Sequence, residues 1–259
     1  MKFCNIASGS KGNASFVFTG NTLILIDAGI SYKALLKQSQ EVGIDLSRLD
    51  AVFITHEHID HVKGLNVLAK TLDVPIYMNP KSYEAYSKKF GDILRVQEEE
   101  FINPVNIKDL SISAFRHTHD AEYTQGFSIS DGNKNIVMAT DLGKVTPGIY
   151  QKMQKSDFLY IESNYDEKML MEGPYPQPLK YRIKGANGHL CNLESAQNIT
   201  KLVQEGKARF MLAHLSETNN TKDIAINTLE NELKKINAKK GDIELNVADQ
   251  YTPSEVFDI

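Results

Sequence analysis

Four candidate metal ligands, His56, His58, Asp60 and His61, fall within six positions of the stretch Thr55-His56-Glu57-His58-Ile59-Asp60-His61. They follow at once on the apolar run Ala51-Val52-Phe53-Ile54, which reads as a buried strand ending in a loop of ligands. Imidazole and carboxylate donors suit divalent ions such as zinc, manganese or iron. On an extended segment His56 and His58 point the same way and can hold one ion. Asp60 and His61 come after a turn and can face a second ion beside the first. A catalytic metal pair needs more ligands than one loop supplies. The sequence offers them where other apolar runs stop. His119 follows Leu110–Phe115, Asp141 follows Ile136–Thr140, His214 follows Phe210–Ala213, and Asp27 ends Leu23–Ile26. A polar residue at a strand end is usually only a cap. Four of them beside this loop point instead to side chains delivered to one shared rim.

The elements that must position these residues alternate along the chain. Strands are expected at 2–7, 14–19 and 22–27, with Gly20-Asn21 as a hairpin turn. Ser31 caps a helix through about Val42, stopped by Gly43. The strand at 51–54 leads into the histidine cluster. A helix over 62–72, a strand at 75–78 and a helix from Pro80 to about Phe90 follow. Gln97-Glu98-Glu99-Glu100 reads as a solvated acidic connection. Strands at 105–115, 124–130 and 134–140, a helix over 146–154 and a strand at 157–162 come next. Residues 163–190, punctuated by Gly173-Pro174, Pro176 and Pro178, read as a long functional loop. A helix over 193–205, a strand at 208–213, a helix over 221–236 and a strand at 243–247 complete the pattern. No repeat or linker interrupts it, so residues 1–259 are expected to form one layered α/β (α+β) domain.

Bulk properties exclude little. The chain has 259 residues, 41% of them hydrophobic and 24% charged, as in an ordinary globular protein. A net charge of −4 gives no global support for nucleic-acid binding, though a local basic patch remains compatible with it. The longest apolar run near the start, Leu23-Ile24-Leu25-Ile26, is far too short to span a bilayer, and no membrane association is expected. Cys4 and Cys191 form no CxxC pair and read as small buried fillers. A reduced, cytoplasmic setting is expected.

The motif His56-x-His58-x-Asp60-His61, with Asp27, His119, Asp141 and His214 in order, resembles that of metallo-β-lactamase-fold hydrolases. Further motifs cover nearly the whole chain and are similar to those of the YycJ-like (WalJ-like) branch. They are Ser8-Gly9-Ser10-x-Gly12-Asn13, Thr118-His119-Asp120-Ala121, Glu162-Ser163-Asn164, Gly188-His189-Leu190-Cys191-Asn192 and His214-Leu215-Ser216-x-x-Asn219-Asn220. Gly188-His189 and His214-Leu215-Ser216 also resemble segments of ribonuclease Z. Two positions depart from the branch: Tyr165 stands where a histidine is usual, and Cys191 where a serine is usual.

The resemblance implies a four-layer αβ/βα sandwich and a DNA exonuclease acting from the 5′ end. It implies two divalent ions. His56, His58 and His119 would hold one, Asp60, His61 and His214 the other, and Asp141 would bridge. Asp27 would orient a ligand imidazole through a hydrogen bond. His117 is the rival of His119, which takes the role because it immediately precedes Asp120. Two ions about 3.5–4 Å apart can activate a water and neutralise charge on a phosphoryl oxygen. Asp60 could orient that water. His189 is the candidate to protonate the leaving oxygen, with Glu162 orienting it, by similarity to the Glu–His pair of ribonuclease Z.

Substrate contacts are sought in three segments. Leu179-Lys180-Tyr181-Arg182-Ile183-Lys184 offers Arg182 for bidentate phosphate contact. Ser10 and Asn13 lie on a Gly-rich turn that can place donors on a phosphate. Asn219 is either a substrate contact or a cap of the next helix, with Thr221 competing for the capping role. DNA is thus the expected substrate. The rival is a small-molecule hydrolase of the same fold acting on a thioester, lactone or cyclic phosphodiester. A metal-binding protein with little activity is a third possibility, and the intact ligand set argues against it.

Overall fold

In the computed structural model, which describes residues 1–259, two seven-stranded mixed sheets pack face to face. The first sheet contains β1 (Lys2–Ala7), β2 (Ala14–Phe18), β3 (Leu23–Ile26), β4 (Ala51–Phe53), β5 (Ile76–Met78) and β6 (Val96–Glu98), side by side in that order. The second runs through β7 (Val105–Ile107), β8 (Leu110–His117), β9 (Thr124–Ser130), β10 (Asn135–Ala139), β11 (Phe158–Glu162), β12 (Arg209–Ala213) and β13 (Glu244–Val247). A last short strand, β14 (Phe257–Asp258), returns to the first sheet beside β1. Each sheet is antiparallel on one side and parallel on the other. The parallel parts are β3–β4–β5–β6 and β10–β11–β12–β13.

The side-chain period of two explains the layering. In β11, Phe158 and Tyr160 face the space between the sheets, while Leu159 and Ile161 face the outer helices. Both faces are apolar because both are covered. Three cores result: one of 19 buried residues between the sheets and one outside each sheet. The first sheet is covered by α1 (Tyr32–Glu41), α2 (Ile59–Val62), α3 (Leu65–Thr71) and α4 (Pro80–Phe90). The second carries α5 (Pro147–Met153), α8 (Asn192–Gln204) and α9 (Lys222–Lys234), with α6 (Glu167–Glu172) and α7 (Gln177–Lys184) alongside a small separate cluster. This is the expected αβ/βα sandwich. No helix is long and apolar enough to cross a membrane.

Three local expectations are corrected. Residues 163–190 are not one loop, because α6 and α7 lie within them. Asp166 caps α6 by accepting from Met169 N, and the prolines of α7 sit in its first turn, where a missing N–H costs nothing. Glu98 does not lie in a mere connection. Val96–Glu98 pairs with β5 as the edge strand, where charged residues discourage further pairing. The helix expected over 62–72 is two helices, α2 and α3, so Asp60 and His61 sit in a first helical turn rather than a free loop. Both cysteines are buried and unpaired, as read.

Candidate metal centre

The strand ends converge on one rim. His56 and His58 follow β4, and His119 lies two residues past β8. Asp27, Asp141 and His214 follow β3, β10 and β12, and all three have left-handed backbone, with φ of 60°, 54° and 54°. Non-glycine residues pay roughly 1–2 kcal/mol for that conformation. Three such residues at three neighbouring strand ends mark a place where tertiary structure overrides local preference to turn side chains inward.

The close fit of two loops sets the height of the histidine loop. Asn13 N donates to Asp60 O at 2.7 Å, and Ala28 N donates to His61 O at 2.8 Å. Gly29 lies between them: a Cβ there would stand 1.6 Å from Asp60 O, so only glycine fits.

Four clusters of ligand atoms form, each with all its atoms within 4.8 Å of one another: Asp141 with Glu162, His189 and His214; Asp141 with His56 and His61; and the two expected half-sites, His56, His58 and His119, and Asp60, His61 and His214. Asp141 lies between them. Its Oδ2 is 3.1 Å from His61 Nε2, and its Oδ1 is 3.6 Å from His119 Nε2. The side chains expected to form two half-sites are therefore brought together, with the expected bridging carboxylate between. His117 stays out of all four clusters, buried on the outer side of β8.

Every imidazole of the centre except His58 is oriented from behind. His61 Nδ1 donates to Asp27 Oδ2 at 2.8 Å. His119 Nδ1 donates to the Gly188 carbonyl at 3.1 Å. His214 Nδ1 and His189 Nδ1 both donate to Glu162 Oε1, at 2.9 and 2.8 Å. His56 Nδ1 lies 3.0 Å from the Thr55 hydroxyl, which in turn reaches Asp27. With Nδ1 carrying the proton, the Nε2 lone pair faces inward. His56 Nε2 and His214 Nε2 are buried and have no hydrogen-bond partner. Buried polar atoms are rarely left so, and inward lone pairs from several imidazoles beside carboxylates are the donor set of a divalent ion. The residues fit the group that the resemblance implies.

Electrostatics agree. Burial lowers the His56 imidazole well below its usual value, which keeps it neutral. Burial would also lower His61, but the carboxylates of Asp27, Asp141 and Asp60 outweigh it and raise that ring well above its usual value. His214 is likewise pushed up to about 10, with burial opposed by Asp141, Asp60 and Glu162. Burial disfavours an ionised Glu162, but His189 and His214 draw its carboxyl down to about 2. Burial pushes His117 down to about 4, so its ring is neutral near pH 7. Without ions, nearby carboxylates thus favour the protonated rings of His61 and His214, whose protons an arriving cation must displace, while burial favours the neutral rings of His56 and His119.

The residues read as substrate contacts divide. Ser10 is exposed on its turn. Arg182 is exposed on α7 but is held by an ion pair with Asp120, whose other oxygen lies 3.3 Å from His119 Nε2. Asn13 and Asn219 are buried, and both amide atoms of Asn219 lack a hydrogen-bond partner. Asn13 spans Gly9, Asp60 and His61, so it supports the ligand loop. Asn219 is fully buried beside Gly173, away from any open surface, and Thr221 caps α9. Two contributors escaped the sequence reading. Thr55 joins Asp27 to two imidazoles, and Asn164 donates to the His214 carbonyl at 2.7 Å. Both lie inside motifs already noted, so adjacency to a ligand was their only signal.

Residues 22–215 match the profile of the β-lactamase superfamily domain. The chain is 31% identical to the exodeoxyribonuclease YycJ of Bacillus anthracis, over 99% of this chain and 98% of that one. It is 34% identical to the exodeoxyribonuclease WalJ of Streptococcus pneumoniae, over 90% and 88% respectively. Among solved structures, the metallo-β-lactamase fold protein YhfI of Bacillus subtilis superposes with a TM-score of 0.71 at 18% identity, covering 98% of each chain.

Proposed function

The chain belongs to the β-lactamase superfamily, and we propose that it is a metal-dependent phosphodiesterase that removes nucleotides from DNA, beginning at a 5′ end. The observation that carries this reading is the Glu162–His189 pair, which joins Asp141 and His214 in one cluster of ligand atoms beside the two half-sites. The similarity to two exodeoxyribonucleases over nearly their whole lengths supports DNA as the substrate. Residues 1–259 act as one domain in this reading.

His56, His58 and His119 would hold one divalent ion and Asp60, His61 and His214 the other, with Asp141 beside both half-sites; zinc, manganese and iron suit these donors. When bound, the ions lower the pKa of a water and offset charge on the phosphoryl oxygens. The protein's own groups do the rest. Asp27, Glu162 and the Gly188 carbonyl fix the ligand rings, so no ligand has to reorganise during reaction. Asp60, partly open to solvent, accepts a hydrogen bond from the attacking water and orients it. The Glu162 carboxylate more than offsets the effect of burial and raises the His189 ring above its ordinary value, which favours its protonated form. Its Nδ1 is committed to Glu162, so Nε2 is the atom that protonates the leaving oxygen. Arg182 and Ser10 stand at the rim for the flanking phosphates.

The test is digestion of duplex DNA labelled at either end, with manganese or zinc added, alongside a thioester. Release of 5′-terminal nucleotides supports the proposal. Intact DNA with rapid thioester turnover would transfer the chain to the small-molecule hydrolases. Asp60→Ala should abolish hydrolysis with the fold retained, and wild-type rates in that variant would sink the metal-pair mechanism.

A further inference from the structure

A second cavity opens beside the metal centre, and the mechanism above makes no use of it. It encloses about 350 Å³ between the ends of β8 and β9 and the start of α5, within the roughly 300–1,000 Å³ typical of small-molecule pockets. His119 forms part of its wall, so the cavity adjoins the half-site of His56, His58 and His119.

Its lining is unusual in one respect. His117 and Thr124, paired across β8 and β9, are 6% and 2% exposed. Neither ring nitrogen of His117 has a hydrogen-bond partner, and nor does the Thr124 hydroxyl. Buried polar atoms in folded proteins are almost always satisfied, so an orphaned pair facing a cavity calls for a partner such as water, an ion or a ligand group. The two ring nitrogens of His117 and the hydroxyl of Thr124 together offer both donors and acceptors. Ile149 adds an apolar wall, and Tyr123 adds a ring crossed by the Arg116 guanidinium at 5.0 Å.

This lining does not suit a bare anion, since no cation lies among its buried polar groups. It suits a flat heterocycle with donors and acceptors along one edge and apolar faces, which describes a nucleobase. An enzyme that works from a DNA end must draw the terminal nucleotide out of its stack, and a pocket beside the reacting phosphate would receive it.

We propose that this cavity is the subsite for the nucleobase adjoining the scissile phosphate, with His117 and Thr124 pairing to its edge and Arg116 at the mouth. The proposal rests on the DNA phosphodiesterase reading, so its test separates the two. Deoxyadenosine and thymidine, which lack phosphate and so do not engage the ions, are titrated into the protein as purified, with binding followed by calorimetry or ligand-observed NMR. Saturable binding is expected, weakened about tenfold by Thr124→Val, which keeps the shape but removes the hydroxyl. His117→Phe fills the cavity and should abolish binding.

If neither nucleoside binds, or both variants bind as the wild type does, the subsite is refuted even if DNA is degraded. If nucleosides bind in the cavity but DNA and bis(p-nitrophenyl) phosphate are left intact with manganese or zinc present, the phosphodiesterase reading falls. The placement beside a scissile phosphate then falls with it.

Discussion

Replacing Glu162 with glutamine tests the architecture of the centre most sharply. Glu162 is fully buried and accepts four hydrogen bonds. Oε1 takes the Nδ1 protons of His189 and His214, and Oε2 takes the backbone N–H groups of Leu142 and Leu190 at 2.8 and 3.0 Å. Glutamine has the same shape but only one acceptor oxygen. The backbone donors cannot change, so they will claim that oxygen. The amide NH₂ must then face two imidazole Nδ1 atoms, which can bond to it only by giving up their protons. Their protons move to Nε2, the atom that His214 needs for an ion and His189 for the leaving oxygen. The carboxyl lies at about 2 against an ordinary 4.5. At ~1.4 kcal/mol per pH unit, its surroundings favour the charge by about 3 kcal/mol. The expected result is a protein that folds but binds the second ion roughly 10–100-fold more weakly, in line with other losses of a ligand-orienting partner. Elemental analysis after dialysis should find less metal per chain, and hydrolysis of bis(p-nitrophenyl) phosphate should fall ~10²–10⁴-fold through loss of the oriented acid. A Glu162→Gln protein that keeps its full metal content and an unchanged pH–rate profile would refute the assignment of Glu162, His189 and His214 to one unit.

Two further outcomes follow from the geometry. Gly29→Ala would set a methyl group 1.6 Å from Asp60 O, and the forced shift should cost ~3 kcal/mol, lowering Tm by roughly 6–12 °C and reducing metal content; an unchanged Tm would show that the two loops are not in contact. Metal binding should release protons. His214 sits at about 10 against an ordinary 6.5, so its proton stabilises the ion-free fold fully below pH 6.5, and that stabilisation is lost as pH rises toward 10. Metal affinity runs the opposite way and should increase over the same range. Calorimetry in buffers of different ionisation enthalpy counts the protons released, and none released at pH 7.5 would contradict the imidazolium state of His214.

Much of the centre was legible along the chain because its ligands obey a simple rule. His56, Asp141 and His214 each interrupt an apolar run at the point where a strand leaves the core, and both sheets present those ends to the same rim. The fold was legible for a related reason. Strands buried on both faces are short, continuous apolar runs, and β3, β10, β11 and β12 all read that way. The α6–α7 segment was not, since its prolines and glycines break periodicity while also serving as caps and first-turn residues.

What the amino-acid order determined by itself is therefore the identity of the donors and the strands that carry them, because both are local properties of composition and period. Tertiary structure alone decided which partner each donor meets. Glu162 ends β11, and the parallel pairing of β11 with β12 brings it to His214, while the segment before α8 is held to it through Leu190 N and so brings His189. Asn13 and Asn219 read as surface groups from their motifs, yet the packing of loops against Asp60 and Gly173 buries both. The cavity behind His119 exists only because β8, β9 and α5 leave His117 and Thr124 facing each other without partners. Hydrogen bonds between residues dozens of positions apart depend on chain crossings that no local pattern encodes, and this centre is built from such bonds.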